Sequence, residues 1–350
     1  VKEKGSNNSL YYPSRILIQF KDSEIKNIFE TKILSKTGSY SASLELFSAE
    51  HKNLASNHIV EAFPISQSWD EGTGRYSNLP TSSNGCTWIY TDDSISRTNW
   101  VTSNFPTNTT GSIESDLITK GGGTWYNDDN LKATQTITQA DFLDLNLNVT
   151  NITTKFSASI LSNLTPINGI PNNGFIVKIP DNFENNISSS KGTLSYFSSN
   201  THTIYPPKLT FKWDDSTHNF GSQPTTKTSG ELNVSLYRNK KEYNQNDEAL
   251  IRLHVRDKYP TRQFTSSSNY LQPGYFTTSS YYSIRDAHTE EVVIPFDDNC
   301  TKLSADNEGM YFKLYMNGLQ PERYYRILFK HTNNDGTEVF DNNYHFKVIR

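Results

Sequence analysis

The chain has 350 residues, which is enough for about two domains and excludes a mini-protein. Its 33 basic and 37 acidic residues give a net charge of −4, so nucleic acid is an unexpected ligand. Aromatic residues make up 13% of the chain, which excludes a disordered protein. No apolar run approaches the roughly 18 residues that span a bilayer, and the start VKEKGSNNSL has no signal-peptide character, so we expect a soluble protein without membrane insertion.

Alternation of apolar and polar residues is the dominant pattern, and it predicts β-strands with one buried and one wetted face. The alternating apolar residues are Ile16, Ile18 and Phe20; Leu44 and Leu46; Leu209, Phe211 and Trp213; Leu232, Val234 and Leu236; and Ile251, Leu253 and Val255. Turn clusters rich in Gly, Asn and Pro separate these runs. Short strands at such intervals favour an all-β sandwich over an α/β fold.

Helical signals are few. Residues 22–29 and 139–145 are each long enough for about two turns. Residues 149–161 have an amphipathic pattern, for which Thr150 or Thr153 is a candidate N-terminal cap.

One polar segment marks a boundary. Residues 214–230 contain almost no large apolar side chains and cannot contribute much to a core. We therefore predict a first domain at 1–217, a linker at 218–230 and a second domain at 231–350.

Several short motifs of the first domain point to a family. They are SWDEGTG at 68–74, GCTW at 85–88, Trp100, GTW at 123–125, YFS at 196–198 and YPPKL at 205–209. Over about residues 10–215 this succession resembles the DNRLRE-type β-sandwich domains, which are related to jelly-roll carbohydrate-binding modules, although the name-giving hexapeptide is absent. The YFS, THTIYPPKL and WDD segments also resemble structural proteins of contractile-tailed bacteriophages.

Tryptophans and glycines of this domain are interpreted mainly as architecture. Glycines allow tight loops, and indoles supply large apolar area between two sheets. The predicted core and loop anchors are Trp69, Gly72, Gly74, Trp88 and Trp213.

A sugar-stacking platform is the alternative interpretation of the aromatic residues. It requires exposed rings with polar partners nearby. The candidate rings are Trp100, Trp125 and Tyr126, and the candidate partners are Asp92, Asp93, Asp128 and Asp129.

Seven short strands are predicted in the second domain, at 231–237, 249–256, 281–285, 291–296, 310–316, 323–331 and 341–349, with a hairpin turn at 334–336. Seven strands in about 120 residues are typical of an immunoglobulin-like or fibronectin-type sandwich. The segment GLQPERYYRI at 318–327 resembles the tyrosine corner of fibronectin type III domains, which implies a buried ring and a bonded hydroxyl for Tyr325, with Tyr324 as the alternative.

Tyrosines before and within the third of these strands are candidate partner contacts, since Tyr gives contact area at low entropic cost. They are Tyr270, Tyr275 and Tyr281. Ordinary sandwich packing is the competing interpretation.

No pattern in the chain indicates catalysis or a resident cofactor. The eight histidines lack metal-ligand spacing, no nucleophile elbow or phosphate loop is present, and the adjacent Asp70 and Glu71 point differently. Cys86 and Cys300 are expected to be buried free thiols. Calcium at the oxygen-rich segments 127–130 and 214–215 is a weaker possibility.

The resemblance implies a non-enzymatic virion structural protein of a tailed bacteriophage, in the tail, baseplate or neck. Such a protein would assemble in the bacterial cytoplasm, in multiple symmetric copies, through contacts with other virion proteins. The alternative is a carbohydrate-binding module that recognises host surface polysaccharide. A polysaccharide-degrading enzyme with these domains as accessories is the third hypothesis.

Overall fold

The computed structural model describes most of the chain. The described residues are 2–4, 11–33, 39–54, 57–73, 84–95, 97–100, 121–138, 143–161, 169–184, 192–201, 203, 205–219, 225–228, 230–237, 239–260 and 274–350. The chain divides into two compact units, one formed by 1–35 with 40–211 and the other by 36–39 with 212–350.

The first unit contains short strands and a few helices. Its strands are β1 (Lys2–Lys4), β2 (Tyr11–Pro13), β3 (Ile16–Ile18), β4 (Tyr40–Leu46), β5 (Ser48–Lys52), β6 (Asn57–Pro64), β7 (Tyr90–Asp92), β8 (Thr98–Asn99), β9 (Ala133–Thr138), β10 (Leu145–Asn148), β11 (Phe175–Lys178), β12 (Thr193–Tyr196) and β13 (Lys208–Trp213). Its helices are α1 (Asp22–Ile28), α2 (Thr150–Leu161) and α3 (Asp181–Glu184), with a π-helical turn at Phe29–Ile33 and a 3-10 turn at Asp129–Leu131.

Two sheets dominate the first unit. One has the strand order β3-β11-β6-β9, and the other has the order β10-β4-β13. Pairs β5–β12, β7–β8 and β1–β2 complete the described strands. The pairs β10–β4, β11–β3, β11–β6 and β6–β9 are all antiparallel. Antiparallel sheets commonly bury one face and expose the other, so apolar and polar side chains alternate along their strands.

The main core of this unit follows from that alternation. In β4, Ala42, Leu44 and Leu46 are buried while the residues between them are partly exposed. In β11 all four residues are buried, because this strand lies between β3 and β6 within its sheet and is covered on both faces. Phe156 from α2 packs edge-on against Phe175 of β11, which fastens the helix to the sheet.

The helix predictions are confirmed for α1 and α2. The first turn of α2 is capped by Asn148, whose side-chain oxygen accepts bonds from the Thr150 backbone nitrogen at 3.1 Å and hydroxyl at 2.7 Å. Neither predicted cap performs that role. Thr150 is the first residue of the helix and its hydroxyl accepts a bond from the Ala42 backbone nitrogen, and Thr153 lies inside the helix. The prediction for 139–145 is wrong at Leu145, which begins β10, and residues 139–142 lie outside the described part of the chain.

The second unit has longer strands. They are β14 (Thr225–Thr226), β15 (Leu232–Tyr237), β16 (Glu242–Asn244), β17 (Glu248–Asp257), β18 (Gly274–Tyr275), β19 (Ser280–Asp286), β20 (Val292–Ile294), β21 (Ser304–Asp306), β22 (Gly309–Tyr315), β23 (Tyr324–Asn333) and β24 (Gly336–Ile349). A 3-10 turn spans Met316–Gly318.

These strands form two sheets around one core. The first has the order β14-β18-β17-β22-β21, with β15 on β17, and the second has the order β16-β24-β23-β19-β20. In β17 the residues Ala249, Ile251, Leu253 and Val255 are buried, as their alternation predicts. The all-β sandwich expected from the sequence is therefore confirmed.

All seven strands predicted for the second half are present, to within a few residues at their ends. The predicted hairpin is also present, with Asn333 opposite Gly336 and Asn334–Asp335 at its tip. Gly336 has a φ of 134°, which a residue with a Cβ rarely adopts. Residues 218, 225 and 226, expected in a linker, pair with Ala305, Gly274 and Tyr275 of the second unit.

Among the residues described above, no helix is long and apolar enough to cross a bilayer.

Buried His331 makes the second unit sensitive to acid. Its ring is fully buried and stacked on Phe276 at 4.3 Å, and its Nε2 accepts a bond from the Thr277 backbone nitrogen. Burial lowers the pKa of His331 to about 4, against 6.5 for an accessible histidine. Between these values the unfolded chain takes up a proton that the folded unit does not, so stability is complete above about pH 6.5 and is lost as the pH falls toward 4.

We expect the free energy of unfolding of this unit to fall by about 2 kcal/mol from pH 7 to pH 5 through His331 alone. Urea unfolding at both pH values measures this loss. His331→Phe should remove it from the pH dependence, while the matched variant His254→Gln, at a half-exposed position, should not. Equal pH dependence in wild type and His331→Phe would contradict the assignment.

Candidate functional site

The predicted site residues of the first unit lie around a second, smaller core cluster. Phe63, Ile65, Trp100, Trp125 and Ile176 form it, and Leu17, Trp69 and Cys86 pack against it. Phe63 lies on β6, Ile65 follows the end of that strand and bridges to Trp125, and Ile176 lies on β11. The cluster therefore covers the face of the four-stranded sheet opposite the main core.

The tryptophans are fixed by hydrogen bonds as well as by packing. Trp100 is 2% exposed, and its indole nitrogen donates to the Thr87 carbonyl oxygen at 3.0 Å. Trp69 is partly exposed and donates to the Asn173 carbonyl oxygen at 2.8 Å. A buried indole that has found an acceptor is typical of an architectural residue.

This burial corrects the sugar-stacking interpretation of the first unit. Trp125 is 7% exposed and Trp100 is 2% exposed, so neither presents an open ring face. Tyr126 is partly buried against the main core. Asp128 accepts a bond from the Asn130 backbone nitrogen at 2.9 Å, which caps the 3-10 turn.

Glycines allow the loops to approach the tryptophans closely. Gly72 has a φ of 72°, and a Cβ built on it would lie 2.6 Å from the Gly85 Cα. Gly122 has a φ of 76°, and its Cβ would lie 2.7 Å from the Trp88 ring. Gly72 and Trp88 therefore serve as structural anchors, and Gly74 lies outside the described residues. Trp213 ends β13 and is partly buried.

A buried charge cluster lies beside Trp125. Arg15 binds Glu184 through two parallel bonds, Nε to Oε1 at 3.1 Å and Nη2 to Oε2 at 2.7 Å, and both side chains are at most 4% exposed. Arg15 Nη1 also donates to the Gly121 carbonyl oxygen at 2.7 Å. The guanidinium carbon lies 4.8 Å from the centre of the Trp88 ring and 5.0 Å from that of Trp125.

Lys178 extends this cluster from β11. Its Nζ lies 2.5 Å from Asp181 Oδ1, 3.4 Å from Glu184 Oε2 and 5.3 Å from the centre of the Trp125 ring. Glu184 thus faces two buried cations, Arg15 and Lys178. The two carboxylates of the cluster, Asp181 and Glu184, are both on α3. Sequence reasoning missed this cluster entirely, because no local pattern links Arg15 to a residue 169 positions away.

An open groove of about 1,500 Å³ runs along the same side of the first unit. Edge strand β3 lies along it, and β12 with the following residues through Ser199 also lines it. Trp69, Cys86 and Trp88 belong to its lining.

Carboxylates at the groove are already engaged. Asp22 accepts a bond from Asn172 Nδ2 at 2.7 Å, and Glu71 accepts one from Asn200 Nδ2 at 3.0 Å. Glu24 pairs with Lys21 at 3.6 Å. These bonds tie the groove's acids to neighbouring side chains.

Both cysteines are free thiols and partly buried. Burial raises the pKa of Cys86, and it raises that of Cys300 to about 11 with a further contribution from Asp297. Each thiol is therefore protonated at neutral pH, a poor state for a nucleophile.

The oxygen-rich segments weighed for calcium are engaged in protein contacts. Asp214 binds Lys302 at 2.7 Å and the Ser216 hydroxyl at 2.6 Å. Within the described ranges no group of three His, Cys, Asp or Glu side chains is placed to hold a metal ion.

Tyrosines proposed as partner contacts in the second unit are buried. Tyr275 is 4% exposed and donates to the Asp306 carbonyl oxygen at 2.9 Å. Tyr281 is 9% exposed, and burial together with Asp298 raises its pKa to about 12. Both belong to sandwich packing and not to a free surface, and Tyr270 lies outside the described residues.

Tyr325 has the geometry that the tyrosine-corner resemblance implies. Its ring is 2% exposed and stacks on Phe346 at 5.6 Å, and its hydroxyl donates to the Gln320 carbonyl oxygen at 2.9 Å. The alternative, Tyr324, is 47% exposed. The bond joins the start of β23 to the turn before it.

Removing that hydroxyl should destabilise the second unit modestly. We expect Tyr325→Phe to lower its free energy of unfolding by about 1 kcal/mol, since one hydrogen bond is lost and the Gln320 carbonyl is left without this donor. Tyr324→Phe, at the neighbouring exposed position, is the matched control and should be neutral. Urea unfolding compares the two, and equal stability of both variants would contradict a structural role for the hydroxyl.

Comparison with known proteins adds no family to this picture. The chain matches no protein-family model and no curated protein.

Proposed function

We propose that the chain is a non-enzymatic structural protein of a tailed bacteriophage particle, in the tail, baseplate or neck, and that it acts by binding other proteins of the particle. The segments at 196–198, 201–209 and 213–215 support the assignment to a particle through the resemblance described above. The single observation that supports a binding role is the open groove beside edge strand β3.

An edge strand next to a groove is suited to an extended polypeptide segment. The edge offers backbone groups to an added strand, and the groove offers space for its alternate side chains. Among the described strands, β3 pairs with β11 on one side and has no partner on the other, and its three residues are partly exposed. Hydroxyl and aromatic side chains along β12, such as Ser195 and Tyr196, would contact the added segment.

Burial of the tryptophans favours assembly over sugar binding in this unit. Trp100 and Trp125 stabilise the loops and leave their ring faces unavailable to a ligand. The second unit would present its sheets in the same way, as a rigid β-scaffold. Multiple symmetric copies are the arrangement in which such contacts repeat.

Genetic complementation tests the proposal. A bacteriophage that carries the chain is deprived of its gene, and the chain is supplied from a plasmid as wild type, as Ser195→Arg or as Thr134→Glu. Ser195→Arg places a long charged side chain in the groove, whereas Thr134 is exposed on β9, at the edge of the four-stranded sheet opposite β3. The amount of chain in purified particles is measured by quantitative mass spectrometry.

We expect wild type and Thr134→Glu to enter particles and Ser195→Arg to fall at least tenfold while remaining folded by circular dichroism. Absence of the wild-type chain from particles would overturn the proposal. Normal entry of Ser195→Arg would overturn the groove as the contact.

A further inference from the structure

A second cleft, of about 600 Å³, lies wholly within the second unit. It is lined by Leu236 of β15, by residues of the turn before β16, by Tyr324 and Ile327 of β23 and by 343–346 of β24. Its volume is in the range of small-molecule sites, about 300–1,000 Å³, and far below that of the groove in the first unit.

The path of β24 explains why the cleft is there. Near Val234 the strands β15 and β24 are held together, because Asn342 Nδ2 and the Tyr344 hydroxyl both donate to the Val234 carbonyl oxygen, at 2.6 and 3.4 Å. β16 joins β24 in parallel only from Lys347 onward. At the first of these attachments β24 has an irregularity, where Asn343 adopts a φ of 55°. The gap between the attachments is the cleft.

Positive charge is concentrated in this gap. Lys240 and Lys241 line the cleft, and no Asp or Glu is among its described lining residues. Within the part of the chain that the structure describes, neither lysine amine has a carboxylate partner within ion-pair distance. The nearby Glu322 is bound to Lys347 at 2.6 Å. In a chain of net charge −4 such a cleft attracts an anion.

Aromatic rings and amides complete the lining. Tyr324 is 47% exposed, and its ring has His288 edge-on at 6.0 Å and the Lys347 Nζ at 6.0 Å from its centre. Tyr243 is 7% exposed, and its hydroxyl accepts a bond from the Lys240 backbone nitrogen at 3.2 Å, which fixes the basic turn. Asn239 and Asn343 supply amides, each of which can donate and accept hydrogen bonds.

We propose that this cleft binds a saccharide that carries a carboxylate group. Lys240 and Lys241 bind the carboxylate through charge-assisted hydrogen bonds. The exposed Tyr324 ring packs against the C–H face of the sugar, and the amides of Asn239 and Asn343 bind its hydroxyls, which donate and accept as amides do. The inference rests on the second unit alone and goes beyond the proposed assembly role.

An acidic peptide fits the same charge less well. A peptide that binds by strand addition needs a strand edge that is open, whereas here β15 and β16 flank β24 at both ends of a short gap. The amides of Asn239 and Asn343 suit a ring bearing several hydroxyls, since an amide donates and accepts hydrogen bonds as a hydroxyl does. The peptide is therefore an outcome of the test and not the expected ligand.

Binding of the full chain to an array of oligosaccharides tests the proposal. The array carries uronate-containing and sialylated glycans together with neutral glycans of the same length, and a fluorescent oligoglutamate is measured in parallel in solution. The variants are Lys240→Ala/Lys241→Ala, Tyr324→Ala and Tyr324→Phe. Lys258→Ala removes an exposed lysine that pairs with Glu231 and is the matched control.

We expect carboxylated glycans to bind and neutral ones not to bind, with affinity falling as salt is added. The double lysine variant should lose at least tenfold in affinity, Tyr324→Ala should lose several-fold, Tyr324→Phe should restore binding, and Lys258→Ala should match wild type. No binding of any carboxylated glycan, equal binding of oligoglutamate, or equal loss in Lys258→Ala would each overturn the proposal. None of these outcomes depends on whether the chain enters particles.

Discussion

Replacing Glu184 with Gln is expected to lower the free energy of unfolding of the first unit by about 3 kcal/mol, because it leaves the charge of Arg15 buried without the carboxylate that faces it. The side chains of Arg15 and Lys178 are at most 4% exposed, so water cannot take over the role of Glu184. Urea unfolding of the full chain measures the loss, and hydrogen exchange assigns the transition to the first unit.

Glu24→Gln is the matched control. It removes a carboxylate from the same unit, in a pair with Lys21 whose side chains are 63% and 80% exposed. Exposed pairs contribute little, so the stability change should stay within about 0.5 kcal/mol. The joint replacement Arg15→Met/Glu184→Met should recover part of the loss, since no unpaired charge then remains in the interior. A Glu184→Gln variant as stable as the control would contradict the buried-pair account.

Trp125→Ala is expected to cost the first unit about 3–5 kcal/mol, the usual range for deleting a buried aromatic side chain. The indole packs on Phe63 at 6.1 Å and lies close to the cationic groups of Arg15 and Lys178. The deletion therefore leaves a cavity and also removes a ring that contacts both charges. Thermal and urea unfolding measure the loss.

Trp125→Phe is the graded control, since it keeps an aromatic ring against Phe63 and should cost clearly less than the alanine variant. If Trp125 were a ligand platform, its removal would abolish sugar binding while leaving stability nearly unchanged. An alanine variant with wild-type stability would thus contradict its assignment to the core.

Local pattern was sufficient to predict much of the fold. The alternation of Ile251, Leu253 and Val255 predicted a half-buried strand because a strand reverses its side chains at every residue, whatever its neighbours. The resemblance of residues 318–327 to the fibronectin tyrosine corner implied a bonded hydroxyl for Tyr325, and its acceptor, the Gln320 carbonyl oxygen, lies only five residues before it. Helix α2 was visible in its apolar period.

Features that depend on distant pairing were not predictable. Arg15 meets Glu184 only because β3 pairs with β11, and α3 follows β11 directly. The basic turn at Lys240–Lys241 meets Asn343 only because β16 joins β24 in parallel. Tyr275 and Tyr281 were wrong as candidates for a free surface, and the alternative interpretation of Trp125 as an exposed ring was wrong too, since burial of an aromatic side chain is decided by strands far along the chain.

The pairing of residues 16–18 with 175–177 also determines when the first unit can fold during translation. A ribosome must release β11 and α3 before the edge of the four-stranded sheet can close and before the Arg15 guanidinium can leave water for its carboxylate. Until then the N-terminal segment remains hydrated and open to chaperones and proteases, and such long-range closure is slow. A nascent chain truncated before residue 184 lacks its charge partner and is expected to be degraded instead of accumulating as a folded intermediate.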